Sequence, residues 1–131
     1  MGDRGNVLVL QGGGEAVYLY THWAGPELPG TVQAALKRAP DRWTDTAYLA
    51  RIVFSEMTRG ESPDKTTGYG ISTRLCDNEH PLVVIDCEAE RIAFRPEEPA
   101  TERAQPIKAL EGWSFKDFCA LTDPDRTFHG R

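Results

Sequence analysis

The sequence predicts one α+β domain, in which an antiparallel sheet of about five to six strands has helices packed on one face. Three observations support this fold class. Short aliphatic and β-branched runs are bounded by turn residues, two amphipathic helical stretches lie between the second and third runs, and short polar segments join the later runs. The predicted order is therefore ββααβββ(β)α. With 131 residues, the chain has the length of a single domain, which we assign to residues 1–131.

The first two predicted strands form a hairpin around a glycine turn. An aliphatic run at residues 7–10 precedes three glycines at 12–14, and β-favouring residues resume at 16–22. A phosphate-binding loop would need a helix directly after the glycines, whereas here a second strand follows. Side chains alternate across a strand, so the second strand has two different faces. We expect one face to meet the helices (Val17, Leu19, Thr21) and the other to point outward (Tyr18, Tyr20, His22).

Two helices are predicted between the second and third strands. Pro29 suits a first helical turn and Pro40 ends that helix. Its apolar stripe consists of Leu28, Val32, Ala35, Leu36 and Ala39. The second helix begins after an N-cap at Thr44 or Asp45 and ends near Gly60. Its apolar positions follow the spacing i, i+3, i+4, i+8 and are Leu49, Ile52, Val53 and Met57.

The remainder of the chain predicts a three-stranded meander and a short last helix. The expected strands are residues 69–75, 81–86 and 91–95. Short polar connectors separate them, as hairpins require. The continuous apolar run at 82–85 indicates a central strand that is buried on both faces, and residues 107–110 are a candidate edge strand. Ser114 and Asp117 resemble a capping box that starts a helix at 115–121.

The composition argues against several classes of partner, although it leaves a local basic patch open. The formal charge is −5, with acidic residues spread along the chain, whereas a duplex nucleic-acid surface needs a basic face. No apolar run reaches the roughly 18 residues of a membrane span, and the first residues lack the apolar core of a signal peptide. We therefore expect a cytoplasmic protein without membrane contact. The three cysteines are too few for a disulfide framework, and Cys76 with His80 supplies only two zinc ligands, so we expect neither a metal nor a cofactor.

Aromatic and polar residues near predicted element ends are the candidates for ligand binding. His22 and Trp23 end the second strand, where an imidazole beside an indole could stack on a base. Arg42 and Trp43 link the two helices, where they could clamp a planar anion. A second pair, Thr67 and Tyr69, lies at the entry to the third strand, where hydroxyl groups could bind a ligand.

Each of these candidates also has a structural interpretation. Trp43 could cap the helix junction, and the segment around Thr67 could be a flexible strand entry. For Trp23 we favour core packing, because the glycine and proline at residues 25 and 26 suggest a chain that bends around a buried ring. We expect His22 to point to the opposite face of the strand and to carry more of the binding.

The sequence also allows a catalytic interpretation, in which a histidine acts as general base. His22 or His80 would take that role, with Asp86 or Glu56 as the orienting carboxylate. A triad of Ser72, His80 and Asp86 can be assembled, but the serine lacks the surroundings of a nucleophile elbow.

Three stretches resemble a group of small uncharacterised proteins from bacteria and their phages. They are residues 17–25 (VYLYTHWAG), 67–72 (TGYGIS) and 77–81 (DNEHP). The similarity spans about residues 15–90, and its most distinctive part is the tyrosine-threonine-histidine-tryptophan stretch. The group has no assigned activity, so the resemblance transfers no catalytic residues. It implies a phage- or mobile-element-related role, in which small proteins often sequester a host protein or a signalling nucleotide.

Two functional hypotheses of different classes follow. The first is a non-catalytic binding module for an anionic small molecule, such as a nucleotide, or for a host protein. The second is a small hydrolase or transferase that uses a histidine–carboxylate pair. We also expect a homodimer, because a sheet with helices on one face leaves its other face or an edge to be covered.

Overall fold

The computed structural model describes residues 2–75, 77–96 and 105–129, which form a six-stranded sheet and four α-helices. The strands are β1 (Gly5–Gly12), β2 (Glu15–Thr21), β3 (Tyr69–Ser72), β4 (Leu82–Asp86), β5 (Arg91–Arg95) and β6 (Trp113–Ser114). The helices are α1 (Leu28–Arg38), α2 (Thr46–Met57), α3 (Phe115–Cys119) and α4 (Pro124–His129). This confirms the predicted α+β class, and the order of the elements roughly matches the predicted ββααβββ(β)α. Helix α4 was not predicted, because the sequence analysis ended the last helix before Pro124.

The strand order is β3-β2-β1-β4-β5-β6, and every neighbouring pair is antiparallel except β1 with β4. The predicted pairing of β3 with β4 in a meander is wrong. β3 lies at the edge beside β2, and β4 runs parallel to β1, with Val7 opposite Val83. All five residues of β4 are buried, so this strand takes a central position, and two strands separate it from β3.

The predicted hairpin of β1 and β2 is confirmed. The register pairs Val7 with Leu19, and the strands turn at Gly13 and Gly14. Both of these glycines have positive φ, 63° and 83°, which two-residue turns between strands favour. The glycine run therefore serves the turn.

The main core lies between the sheet and helices α1 and α2. The sheet contributes Val7, Val9, Leu19, Val83 and Ile85, and the helices contribute the predicted stripes around Val32, Leu36, Leu49 and Val53. The helix starts also follow the sequence. The Asp45 carboxylate accepts a hydrogen bond from the Tyr48 amide, and the Ser114 hydroxyl accepts one from the Asp117 amide. No helix in the described ranges is long and apolar enough to cross a membrane.

The opposite face of the sheet is covered by the chain itself, which corrects the expectation that Tyr18 points outward. Tyr18 is only 5% exposed and belongs to a second apolar cluster. The other sheet residues in that cluster are Leu8, Leu10, Leu82, Val84 and Ala93. Ile107 and the half-buried Leu75 pack against them from two connecting segments. Over this area, the sheet has no bare face that a second copy would need to cover.

Polar contacts hold residues 105–112 against this second cluster. The buried Asp86 carboxylate accepts a hydrogen bond of 3.0 Å from the Ile107 amide. Arg95 donates to both carboxylate oxygens of Glu111, at 2.8 and 3.0 Å. The predicted edge strand at 107–110 is wrong, because this segment crosses the face, and the edge strand is β6 instead.

Candidate binding site at the end of strand β2

Strand β2 ends in a bend that is fixed by backbone hydrogen bonds on both sides. The His22 carbonyl accepts from the Asp3 amide at 2.7 Å, and the His22 amide donates to the Gly68 carbonyl at 2.8 Å. The Thr21 hydroxyl then accepts from the Ala24 amide at 3.2 Å. The bonds of His22 connect the bend to the segment before β1 and to the entry of β3. They therefore fix the backbone from which the side chains of His22 and Trp23 extend.

Trp23 lies on the surface of this bend, with 48% of its area exposed. The expectation that its ring packs in the core is therefore wrong. Gly5 and Gly25 approach so closely that a Cβ added at Gly5 would lie 2.9 Å from both the Gly25 Cα and the Leu28 side chain. The junction of sheet and first helix is thus filled by backbone and Leu28, and it leaves no room for an indole.

The indole rests instead on Gly68. A Cβ added there would lie 2.5 Å from the Trp23 ring, and the residue has a φ of +101°, which side chains rarely tolerate. Glycine is therefore required at position 68 for two reasons, its backbone conformation and the close contact with the Trp23 ring. This contact gives the exposed tryptophan a rigid support.

His22 and Lys65 complete the surroundings of the indole. The His22 ring meets the Trp23 ring edge-on, with centroids 4.8 Å apart. A hydrogen bond of 2.9 Å joins His22 Nδ1 and the Tyr20 hydroxyl and fixes the imidazole. The Lys65 ammonium lies 5.0 Å from the centre of the indole ring, within the range of a cation–π contact. Lys65 also pairs with Glu61 at 2.9 Å. We call Trp23, His22, Lys65 and Gly68 the indole corner.

The two residues predicted at the entry of β3 lie next to the indole corner. Thr67 is exposed and directly precedes Gly68. Tyr69 is the first residue of β3 and pairs with Thr21 of β2, and its half-buried side chain packs against the main core. The structure thus brings four of the six predicted residues to one end of the strand pair: His22, Trp23, Thr67 and Tyr69.

The other two predicted residues, Arg42 and Trp43, have contacts of their own. Trp43 is half-buried against the main core, its Nε1 donates to the Leu36 carbonyl at 2.9 Å, and its ring meets Phe115 edge-on. The Arg42 guanidinium lies over the Tyr48 ring, 4.6 Å from its centre. Trp43 therefore secures the junction of α1 and α2, while Arg42 stacks on an exposed tyrosine of α2.

A second polar cluster joins Asp3 and Arg4 to residues 77–80. His80 Nε2 is 2.5 Å from the Asp3 carboxylate, and the His80 ring packs against Gly25. Arg4 pairs with both Asp77 and Glu79. Hydrogen bonds from the Arg4 amide and guanidinium lower the pKa of Glu79. This cluster fastens residues 77–80 to the start of β1.

The carboxylates proposed as catalytic partners are engaged elsewhere. Asp86 accepts hydrogen bonds from the amides of Ala89 and Ile107, and Glu56 pairs with Arg38 and Arg59. Asp3 lies within reach of His80, and the sequence interpretation missed this pair because 77 positions separate the two residues.

Two of the three cysteines, Cys87 and Cys119, lie in the described ranges. Burial raises the pKa of Cys87 and of Cys119, which disfavours the reactive thiolate. Cys76, one of the two weighed zinc ligands, lies outside the described residues. Among the residues that the structure does describe, no group of three or more histidine, cysteine or carboxylate side chains could hold a metal ion.

Lys65 and Gly68 are the members of the indole corner that are not among the six predicted site residues. Gly68 carried a signal, since a glycine directly before a strand often marks a close approach. Lys65 sits in an exposed polar loop, and its contact with Trp23 spans 42 positions, so no local pattern could reveal it.

No protein-family model, no curated protein and no solved structure matches the chain.

Proposed function

We propose that the domain is a non-catalytic binding module, and that the indole corner is its ligand site. The ligand would be an anionic small molecule with a planar group, such as a nucleotide. One observation supports this proposal most directly. The half-exposed Trp23 ring rests on Gly68, and the Lys65 ammonium lies within cation–π distance of the same ring. A planar group would stack on the indole, and the ammonium would meet the anionic part of the same ligand.

The energetics favour such a use of the corner. Stacking of one base on an aromatic side chain contributes about 1–3 kcal/mol. Because Gly68 and His22 already hold the indole, its side chain loses little conformational freedom on binding. Lys65 differs, because its long side chain sits on an exposed loop and can follow the ligand from its present position over the ring.

The wider parts of this proposal concern context and assembly. The other ligand class that we consider is a host protein in place of a small molecule. The resemblance of residues 15–90 to bacterial and phage proteins favours a phage- or mobile-element-related role, which we place in the cytoplasm. We also propose that the domain forms a homodimer. Since the chain covers Tyr18 and its neighbours itself, the contact would lie along a sheet edge.

Native mass spectrometry of the freshly purified chain tests the proposal. We expect a retained small molecule, seen as extra mass that disappears under denaturing conditions. A second polypeptide in place of the small molecule would favour the host-protein form. Bare chain, with neither a retained molecule nor a co-purifying protein, would count against a binding module.

A small hydrolase or transferase is the second candidate, and the pair of His80 and Asp3 is the observation that favours it. In such an enzyme, the carboxylate orients the imidazole that accepts the proton. Turnover of nucleotide or ester substrates that is lost in His80→Gln would support this function. Turnover that is unchanged in His80→Gln would exclude His80 as the base.

A further inference from the structure

We propose that a second copy of this chain pairs with the first along the free edge of β3, with the two strands antiparallel and Gly70 opposite Gly70 of the other copy. The inference rests on the homodimer proposed above and names its surface. Its test needs no ligand at the indole corner.

The register of β2 and β3 shows which backbone groups face the free edge. Tyr20 lies opposite Gly70, and the His22 amide bonds to the Gly68 carbonyl. In antiparallel pairs, hydrogen-bonded positions alternate along the strand, so Gly68, Gly70 and Ser72 bond toward β2. Tyr69 and Ile71 therefore direct their amide and carbonyl groups away from the sheet.

No other strand pairs with that edge among the residues that the structure describes, because β3 is the first strand of the sheet order. It also lacks the usual protection of an edge, since lysine, proline and a bulge are all missing from Tyr69–Ser72. The opposite edge differs. β6 has two residues and leads directly into α3, which leaves little strand to pair.

The side chains at this edge add an apolar contact. Ile71 is 63% exposed, although it lies on the face of the sheet that carries the helices, where Leu19 is its neighbour on β2. Of the four exposed large apolar side chains in the described ranges, Ile71 and Trp23 lie at β3 or directly beside it. An apolar side chain this exposed favours strand addition when it lies next to backbone groups that no strand of the described residues pairs with.

The edge is complementary to itself, which favours a second copy over an unrelated strand. With Gly70 opposite Gly70, Tyr69 of each copy faces Ile71 of the other, so the outward amide and carbonyl groups of both residues find partners. Each exposed Ile71 then lies beside the Tyr69 ring of the other copy on the same face. The two glycines meet at the centre without side chains to collide. The contact closes by a two-fold rotation.

Sedimentation velocity over a wide concentration range tests the surface. We expect a reversible dimer for the wild type, and monomer at all concentrations for Ile71→Lys, because the apolar contact is lost and a lysine on an edge strand disfavours pairing with a further strand. Leu110→Lys is the matched control. Leu110 is 97% exposed and lies in the segment that precedes the other edge, so this variant should dimerise like the wild type.

A cysteine at the two-fold axis gives a second measurement. Cβ atoms of directly opposed residues lie about 4.5–5.5 Å apart, close to the span of a disulfide, and a Cβ at Gly70 makes an ordinary contact of 4.0 Å with Tyr20. Under mild oxidation, Gly70→Cys should form a covalent dimer beyond the wild-type level, and Ser72→Cys should not. Wild-type protein that is monomeric throughout would overturn the dimer itself. A dimer that survives Ile71→Lys, with no crosslink in Gly70→Cys, would overturn only the β3 surface.

Discussion

Trp23 and Trp43 both follow the end of a secondary-structure element, yet they have opposite environments. Trp43 packs against the main core, touches Phe115 edge-on and donates its Nε1 hydrogen to the Leu36 carbonyl. Trp23 is 48% exposed, rests on Gly68 and carries a lysine over its ring. One indole has its polar group satisfied inside the fold, while the other keeps a large apolar surface available to a ligand.

The difference shows what decides the role of a tryptophan at an element end. At Trp43, the helix junction leaves a space that the ring fills. At Trp23, the close approach of Gly5, Gly25 and Leu28 has already filled the junction. Burial of an indole stabilises a fold, whereas an indole that stays half-exposed contributes less to stability.

The largest expected effect on stability is that of Trp43→Ala. Removal of a ring that packs against the core and bonds to Leu36 should lower the free energy of unfolding by about 3–5 kcal/mol, a large part of the roughly 5–15 kcal/mol that a domain has. Chemical denaturation followed by circular dichroism measures it. A loss below about 1 kcal/mol would show that the two tryptophans do not differ as described.

We expect an intermediate effect on the free energy of unfolding for Glu111→Gln. Here the comparison is between two carboxylates, Glu111 and Glu79. The hydrogen bonds from Arg95 are the main cause that lowers the pKa of Glu111. A carboxylate with a lowered pKa in the fold stabilises it above the unfolded pKa of about 4.3, and that contribution is lost as pH falls through the lower folded value. Glu111→Gln should therefore destabilise the domain at neutral pH, by about 1–3 kcal/mol, and flatten the decline of stability below pH about 4.3.

Glu79→Gln is the matched control for that measurement. The pKa of Glu79 is also lowered, by hydrogen bonds from Arg4, but this pair lies on the surface, where water screens it. Unfolding curves recorded across the acidic range should show a smaller change for Glu79→Gln than for Glu111→Gln. Equal changes would mean that Arg95 and Glu111 do not hold residues 105–112 on the sheet.

Local patterns were sufficient to predict most elements of the fold. Helix α2 follows from its apolar spacing and its Asp45 cap, and the β1–β2 hairpin follows from its glycines. The strands that pair with β4 could not be predicted from the sequence. The apolar run at 82–85 indicates that β4 is buried on both faces, but it does not indicate which strands lie beside it. Its parallel partner β1 is 76 positions earlier in the chain, as in the pair of Val7 and Val83, and is selected by packing of the whole sheet.

The candidate site was predictable in part for the same reason. His22 and Trp23 stand out in the sequence as an unusual pair at a strand end, and strand pairing brings Tyr69 beside them. The exposure of Trp23 did not follow from the sequence, because it depends on how closely Gly5 approaches Gly25 and on the positive φ of Gly68. Both are properties of contacts between distant segments.

A thermal-shift screen of nucleotides and other planar anions, run in parallel on the wild type, Trp23→Ala and Tyr48→Ala, tests the central claim most directly. Tyr48 is the matched control, because it is also 48% exposed and also lies beneath a cationic side chain, that of Arg42. We expect at least one compound to raise the melting temperature of the wild type and of Tyr48→Ala, and to leave Trp23→Ala unchanged, although that variant alone should lose less than about 1 kcal/mol of stability. A wild type that responds to no compound, or a Trp23→Ala variant that responds as the wild type does, would contradict the assignment of the indole corner as the binding site.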